Sequence, residues 1–314
     1  MKKRIITGIV LAIILIPLLL IKELFPLLQV VIMFFCIIAT LEMIHMCERT
    51  KKISNGVKIL IVLMTFLIYM GIVNEDPSST DSIITKMMDK VDFKVSILTT
   101  LTISCVLVFA CQVFVKDFDA ADVGRCFMII LYVALGFSSF TILLFNGMRF
   151  IIYIVLVCTF TDIFALVFGM RFGKHKLCPT ISPKKTWEGA IGGTICATIV
   201  GSLFAILYHF FGHYFVPSAD PIQFFEGVFN IEKIPSALMV ITIIVLTVLV
   251  SIGSQVGDLV CSKFKRTYEI KDFSNIFPGH GGVLDRFDSI LFSSIIFLCF
   301  ITVVRIAWPM MMGM

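Results

Sequence analysis

Between two long apolar runs, the stretch from Ser262 to Asp288 gathers charge, glycine and histidine that the rest of the chain nearly lacks. It carries Lys263, Lys265, Arg266, Lys271, Asp272 and Arg286, with a turn through Pro278, Gly279, His280, Gly281 and Gly282 that closes on Asp285 and Asp288. Clustered cations, backbone amides laid open by glycine, and carboxylates are the parts of a polyphosphate and metal site. A second stretch has a similar make-up: Arg171, Lys174, Lys176, Lys184 and Lys185, then Thr186, Glu188, Gly189, Gly192 and Gly193. Ser182 before Pro183 resembles a helix start, with hydroxyl capping open to either Ser182 or Thr186. Amides at such a start, beside Lys184 and Lys185, make a phosphate cradle. Taken alone, these lysines are also explained by membrane topology and the glycines by close helix packing.

Carboxylates inside the apolar runs sharpen the reading. Ser251, Ser254, Asp258, Ser262 and Lys265 follow one another at offsets of 0, 3, 7, 11 and 14 residues, one face of a helix. The serines also suit a helix-packing seam. Asp258 does not, because an ionisable group at membrane depth is costly and defaults to function. Asp162, with Ala165 and Gly169 at offsets of 3 and 7, gives a similar signal. Few carboxylates near many cations suit Mg²⁺, which takes one or two protein carboxylates and completes its shell with phosphate oxygens and water. The chemistry expected is therefore phosphoryl or nucleotidyl transfer.

The elements that must hold these residues are membrane spans. Apolar residues make up 59% of the 314, charged residues 15%, and mean hydropathy is +1.03, against about 45–50% apolar and 25% charged in soluble domains. A span needs about 20 apolar residues, which gives about nine candidates: 5–21, 25–44, 57–73, 95–115, 126–145, 150–170, 187–211, 236–261 and 287–307. The fold class expected is an all-α polytopic membrane protein, since no lipid-facing open strand could satisfy its backbone. With the N-terminus cytoplasmic and the C-terminus outside, the inner segments hold most of the 26 Lys and Arg, and the loop at Asn74, Glu75, Asp76 and Asp81 is outer and acidic. Loops 171–186 and 262–286 then face the cytoplasm, where nucleotides are. Met1-Lys2-Lys3-Arg4 and the run after it imitate a signal peptide, but no small-x-small site precedes Lys22, and the run reads as a retained span. The ten cysteines show no CxxC pair and read as small apolar residues. Residues 1–150, about five spans, read as scaffold; residues 151–314, about four spans with the two basic loops, read as the catalytic region.

The run S-x-F-K-R-x4-K-D-x-S-x2-F-P-x-H-G-G-V-x-D-R-F-D from Ser262 to Asp288 resembles the signature of the phosphatidate cytidylyltransferases, or CDP-diacylglycerol synthases, at every defined position. A second block is similar to the same family: Asp162 to Gly169, Phe172 to Leu177, Ile181 to Thr186, Glu188-Gly189 and Gly192-Gly193. Leu166 departs from it, where relatives often have Tyr. The likeness covers about residues 160–310, and the first five spans carry no motif. It implies transfer of the cytidylyl group of CTP to phosphatidate, giving CDP-diacylglycerol and pyrophosphate, at the cytoplasmic face of the plasma membrane. It also implies Mg²⁺, one ion or two, on Asp258 and Asp285, a homodimer, and no nucleic-acid partner. Lys185 joins the two aspartates as catalytic. Substrate contacts are expected from Asp162, Ser182, Thr186, Ser254, Ser262, Lys265, Arg266, Lys271, Asp272, His280, Gly281, Gly282, Arg286 and Asp288. Two other classes fit parts of the pattern. A CTP-dependent kinase of polyprenol or phytol would use similar lysine and Mg²⁺ chemistry, and an ion-coupled transporter would explain aspartates in spans but not the Gly-His-Gly-Gly turn.

Overall fold

The computed structural model describes residues 17–18, 21, 24–79, 85–86, 90, 96–215, 223–226, 228 and 236–311. Its helices are α1 (Phe25–Cys47), α2 (Asn55–Glu75), α3 (Ile97–Phe114), α4 (Ala120–Asn146), α5 (Met148–Phe172), α6 (Trp187–Phe215), α7 (Ser236–Thr267) and α8 (Leu284–Met311). All eight are long and apolar enough to cross a membrane, so the chain is a multi-pass membrane protein. The expected first span, 5–21, lies outside the described residues except at 17, 18 and 21, as does Asp81 of the acidic loop. Two compact units make up the chain: residues 1–145 with 264–287, and residues 146–263 with 288–314.

In the first unit α4 is the most buried helix, with Ile129, Ile130, Val133, Ala134, Phe137 and Leu143 sealed from solvent. Pro26 opens α1 at a position where a missing N–H costs nothing. Ser54 caps α2 by accepting from the Val57 amide at 3.4 Å. Tyr69 of α2 shares a hydrogen bond with Thr141 of α4 at 3.1 Å, which satisfies both hydroxyls where no water reaches. The ring of Phe287 enters this core against Phe35, Phe137 and Phe140, with centroids 5.7–5.8 Å apart. At the start of α4, Lys51 pairs with Asp119 and Asp122, and Arg125 with Asp122. This ties the turn after α1 to the start of α4. Hydrogen bonds from the Asp122 backbone and from Lys51 hold the Asp119 carboxyl below its usual range, while the bond to Asp122 raises the Lys51 ammonium.

In the second unit α5 and α6 make the most extensive pairing among the described elements. Glycine spacing on α6 explains it. A Cβ on Gly189 would meet the Ala165 carbonyl at 2.6 Å, and one on Gly193 would meet the Thr161 carbonyl at 2.7 Å. Backbones approach this closely only where side chains are absent. Helix α7 is tied to both helices by a ladder of polar side chains: Thr247 to Tyr153 of α5 at 2.7 Å, Ser251 to Thr161 of α5 at 2.8 Å, and the Gln255 amide to Thr194 of α6 at 2.8 Å. Such bonds contribute about 0.6 kcal/mol each in a membrane, so they fix register more than they add stability.

Between α5 and α6 the chain forms a two-stranded antiparallel hairpin, β1 (Lys176–Cys178) and β2 (Ser182–Thr186), with Lys176 opposite Thr186 and Cys178 opposite Ser182. The helix start expected at Ser182-Pro183 is thereby corrected. Ser182 and Pro183 lie in a strand, and the helix begins at Trp187 with the Thr186 hydroxyl accepting from the Gly189 amide at 3.2 Å. Pro183 is tolerated because a two-stranded ribbon is all edge.

Candidate active site

In the second unit, α5, β2 and α7 bring together Asp162, Lys185 and Asp258. Lys185 forms an ion pair with Asp258, both side chains being more than two-thirds buried. Asp162 is an electrostatic neighbour of both. The hairpin makes this possible: Lys184 and Lys185 are successive residues of β2, and Lys185 is the less exposed of the two. The base of the hairpin is pinned to the first turn of α6 by Glu188, which accepts from the amides of Lys174 and His175 at 3.1 and 3.2 Å and bonds the His175 Nδ1 at 2.6 Å.

Asp162, Lys176, Lys184, Lys185, Thr186 and Gln255 line a cavity of about 540 Å³. Leu177, Ala190 and Gln255 also belong to a second groove of about 410 Å³, whose other walls are Trp187, Ile191, Thr194, Ile195, Ile252, Val256 and Leu259. The first chamber carries three lysines and Asp162 among apolar residues such as Ala165, Leu166 and Met170, the second is almost wholly apolar, and three residues are common to both. Ser254 is fully buried within α7, so it faces neither chamber. Ser262 is half-buried at the end of the same helix. Asp288 accepts from the Ser289 amide at 2.7 Å, and its carbonyl lies against Gly257.

In the first unit the 264–287 segment wraps around Asp285. Its Oδ1 accepts from the Lys265 ammonium at 2.9 Å, and its Oδ2 from the amides of Phe273 at 2.8 Å and Gly282 at 2.9 Å. The side chain is only 3% exposed. The turn before it is closed by Phe277 and Gly281, paired through the Phe277 amide and Gly281 carbonyl at 2.9 Å, with the His280 amide on the Phe277 carbonyl at 2.8 Å. Gly279 at φ 78° and Gly281 at φ 85° adopt the left-handed conformation that a side chain would strain. The buried His280 Nδ1 has no hydrogen-bond partner among the described residues, so a donor or acceptor from outside the protein could satisfy it. Arg266, Lys271, Asp272 and Arg286 are exposed. Tyr268 bonds the Cys47 thiol at 3.6 Å, and burial, with that thiol beside it, pushes its phenol up to about 12.

Among the described residues no three His, Cys, Asp or Glu side chains cluster as a closed metal cage. A Mg²⁺ site needs no such cage, because substrate phosphates and water supply most of its ligands. Asp258 with its neighbour Asp162 beside the charged cavity fits that donor set. Asp285 keeps one acceptor position on Oδ1 beyond the three hydrogen bonds it receives. Sequence reasoning passed over Glu42 of α1, although it is a carboxylate in an apolar run; its carboxylate accepts from Ser274, Val283 and Leu284 within the first unit.

A family model described as "Cytidylyltransferase family" matches residues 2–304. Proteins named phosphatidate cytidylyltransferase are similar over 175 residues, 56% of this chain: 39% identical in Staphylococcus haemolyticus, 41% in Staphylococcus saprophyticus and 40% in Staphylococcus aureus. The chain spans 57% of the length of each of these relatives.

Proposed function

This chain belongs to the cytidylyltransferase family, and from that premise we propose that it transfers the cytidylyl group of CTP to phosphatidate, giving CDP-diacylglycerol and pyrophosphate. The observation that carries the reading is the pair of chambers in the second unit. A cavity that carries Lys176, Lys184, Lys185 and Asp162 on otherwise apolar walls shares a wall with an apolar groove. The ligand that matches both has an anionic head and a hydrocarbon tail, as phosphatidate does. The names of the curated relatives point the same way.

A phosphate oxygen of phosphatidate attacks the α-phosphorus of CTP, a new P–O–P link forms, and the bond to the β-phosphate breaks with its electrons leaving on pyrophosphate. The attacking oxygen is already anionic near neutral pH, so no strong base is needed. The barrier lies in joining two polyanions and in the charge that grows on the leaving group, which fixed cations offset. Lys185 meets that need best, being oriented by Asp258 before substrate arrives. Lys176 and Lys184 add charge along the cavity wall, and in the first unit Lys265 is held by Asp285. Mg²⁺, assigned to the carboxylates of Asp258 and Asp285 as one ion or two, would neutralise triphosphate oxygens when bound. For phosphate contacts the first unit offers the exposed Arg266, Lys271 and Arg286 and the His280 ring, while Gly281 and Gly282 are buried and the Gly282 amide is taken by Asp285. The reading also places the N-terminus and both basic loops in the cytoplasm, the protein in the plasma membrane, and two copies in a homodimer.

The test is an assay of the purified protein in detergent with phosphatidate and CTP labelled at either the α- or the γ-phosphorus, with and without Mg²⁺. The α-label should enter the lipid product and the γ-label should appear in pyrophosphate, both only with Mg²⁺. Entry of the γ-label into lipid would instead mean phosphoryl transfer, and no lipid labelling at all would end the proposal.

A further inference from the structure

Glu42 is a carboxylate near the C-terminal end of the apolar run of α1, 3% exposed. A lipid-facing scaffold helix has no use for such a group, and membrane carboxylates persist where they face partners. Its partners all come from the glycine-rich segment near the other end of the chain. Oε1 accepts from the Ser274 hydroxyl at 2.6 Å and the Val283 amide at 2.9 Å, and Oε2 accepts from the Leu284 amide at 2.9 Å. Val283 and Leu284 are at the start of α8, where amides have no acceptor within the helix and the helix dipole favours a negative charge. Glu42 therefore acts as the cap of α8, supplied by another helix.

The segment has been shaped to admit it. A Cβ on Gly282 would lie 2.6 Å from the Glu42 carboxyl carbon and 2.7 Å from the Ser274 hydroxyl. Glycine at 282 is thus required by the approach of this carboxylate, since Gly282 is not among the positive-φ residues. The next residue of α8 is Asp285, whose carboxylate collects Lys265 and the amides of Phe273 and Gly282. Two carboxylates thus clamp the 273–285 segment in series. Glu42 fixes the backbone from which Asp285 extends, and Asp285 then fixes Lys265 and the base of the turn that carries His280.

We propose that Glu42 is a positioning residue of the transferase, a buried anchor that sets the 273–285 segment and the Asp285–Lys265 pair in their working arrangement. The proposal rests on the cytidylyl-transfer reading for its kinetic consequence, while the anchoring itself is measurable without any activity. Glu42→Gln keeps the shape but turns an NH₂ group toward donors that need an acceptor. Purified wild-type and E42Q protein are compared by hydrogen exchange and by turnover of phosphatidate with α-labelled CTP and Mg²⁺. Exchange within 273–285 should rise at least tenfold, exchange in 126–144 of α4 should stay within twofold, and kcat should fall about 100-fold at saturating substrates. Gly282→Ala, which pushes a methyl group into the same carboxylate from the segment's side, should reproduce the local exchange change even if E42Q cannot be purified. Unchanged exchange in 273–285 in the variants overturns the proposal. So does a rise spread evenly over the first unit, which would make Glu42 a general fold residue, or full turnover in E42Q. Absence of turnover in the wild type would instead remove the transferase reading and leave the anchor to be judged by exchange alone.

Discussion

Replacing Lys185 by Met keeps the aliphatic stem and removes only the ammonium that Asp258 holds at the edge of the charged cavity. The side chains of Lys185 and Asp258 are 27% and 29% exposed, so the local medium lies between water and a dry interior. At an effective dielectric of about 20, a unit charge about 4 Å from a phosphate oxygen is worth about 4 kcal/mol. That is close to three factors of ten in rate at about 1.4 kcal/mol each. Loss of one fixed donor to a developing charge costs about 10²- to 10³-fold in measured cases. K185M should therefore lower kcat by roughly 10²- to 10³-fold. The effect on folding should be small, about 1 kcal/mol or less, because a partly exposed ion pair is screened by solvent. Insertion should be unchanged, since Lys174, Lys176 and Lys184 remain on the same loop. The assay is conversion of phosphatidate with α-labelled CTP in detergent, alongside a thermal melt and a membrane-fraction blot. K185M activity within threefold of wild type would refute the reasoning, and the hairpin would then be structural.

Asp285→Asn should reduce turnover at least 100-fold, because the amide cannot accept from Lys265 and both backbone N–H groups while serving Mg²⁺; retained turnover at ordinary Mg²⁺ would contradict this. Gly193→Ala should destabilise by about 1–3 kcal/mol, read as a lower melting temperature in detergent, since its methyl group would strike the Thr161 carbonyl between α5 and α6. In a cysteine-free background, single cysteines at Pro77 and Thr267, both exposed and at opposite ends of the first unit, should react from opposite sides of the membrane. Labelling of both by an impermeant reagent on intact cells would contradict a cytoplasmic 262–286 loop.

The spans were legible because the membrane demands long apolar runs, a requirement that composition alone reveals. Their ends were not. Helix α4 begins at Ala120 and α7 runs on to Thr267, beyond the apolar runs at 126–145 and 236–261, because helical hydrogen bonding continues into the polar surface layer. Lys185 and Asp258 could be singled out by their chemistry, and the structure pairs them. The hairpin that delivers Lys185 was missed because Ser182-Pro183 satisfies the local rule for a helix start, whereas the strand depends on pairing with Lys176 and Cys178. Glycines 189 and 193 were readable as packing or as cradle, and the short approaches to Ala165 and Thr161 explain their lack of side chains by packing. Glu42 left the same trace as Asp162, a carboxylate in an apolar run, but nothing local named its partners. Its donors are 232 to 242 residues away, and no spacing rule reaches that far.

That separation has a consequence for how the protein is made. Leu284 leaves the ribosome 242 residues after Glu42, which at about 5–20 residues per second is a delay of roughly 12 to 48 s. Until Ser274 is added, 232 residues after Glu42, none of the three donors that the carboxylate finally receives has been synthesised. The nascent chain must therefore shelter Glu42 by other means, at the translocon wall, against early helices or in the headgroup layer. Only when the 273–285 segment emerges can the first unit close. Its closure consequently waits on a segment translated well after helices α1 to α4.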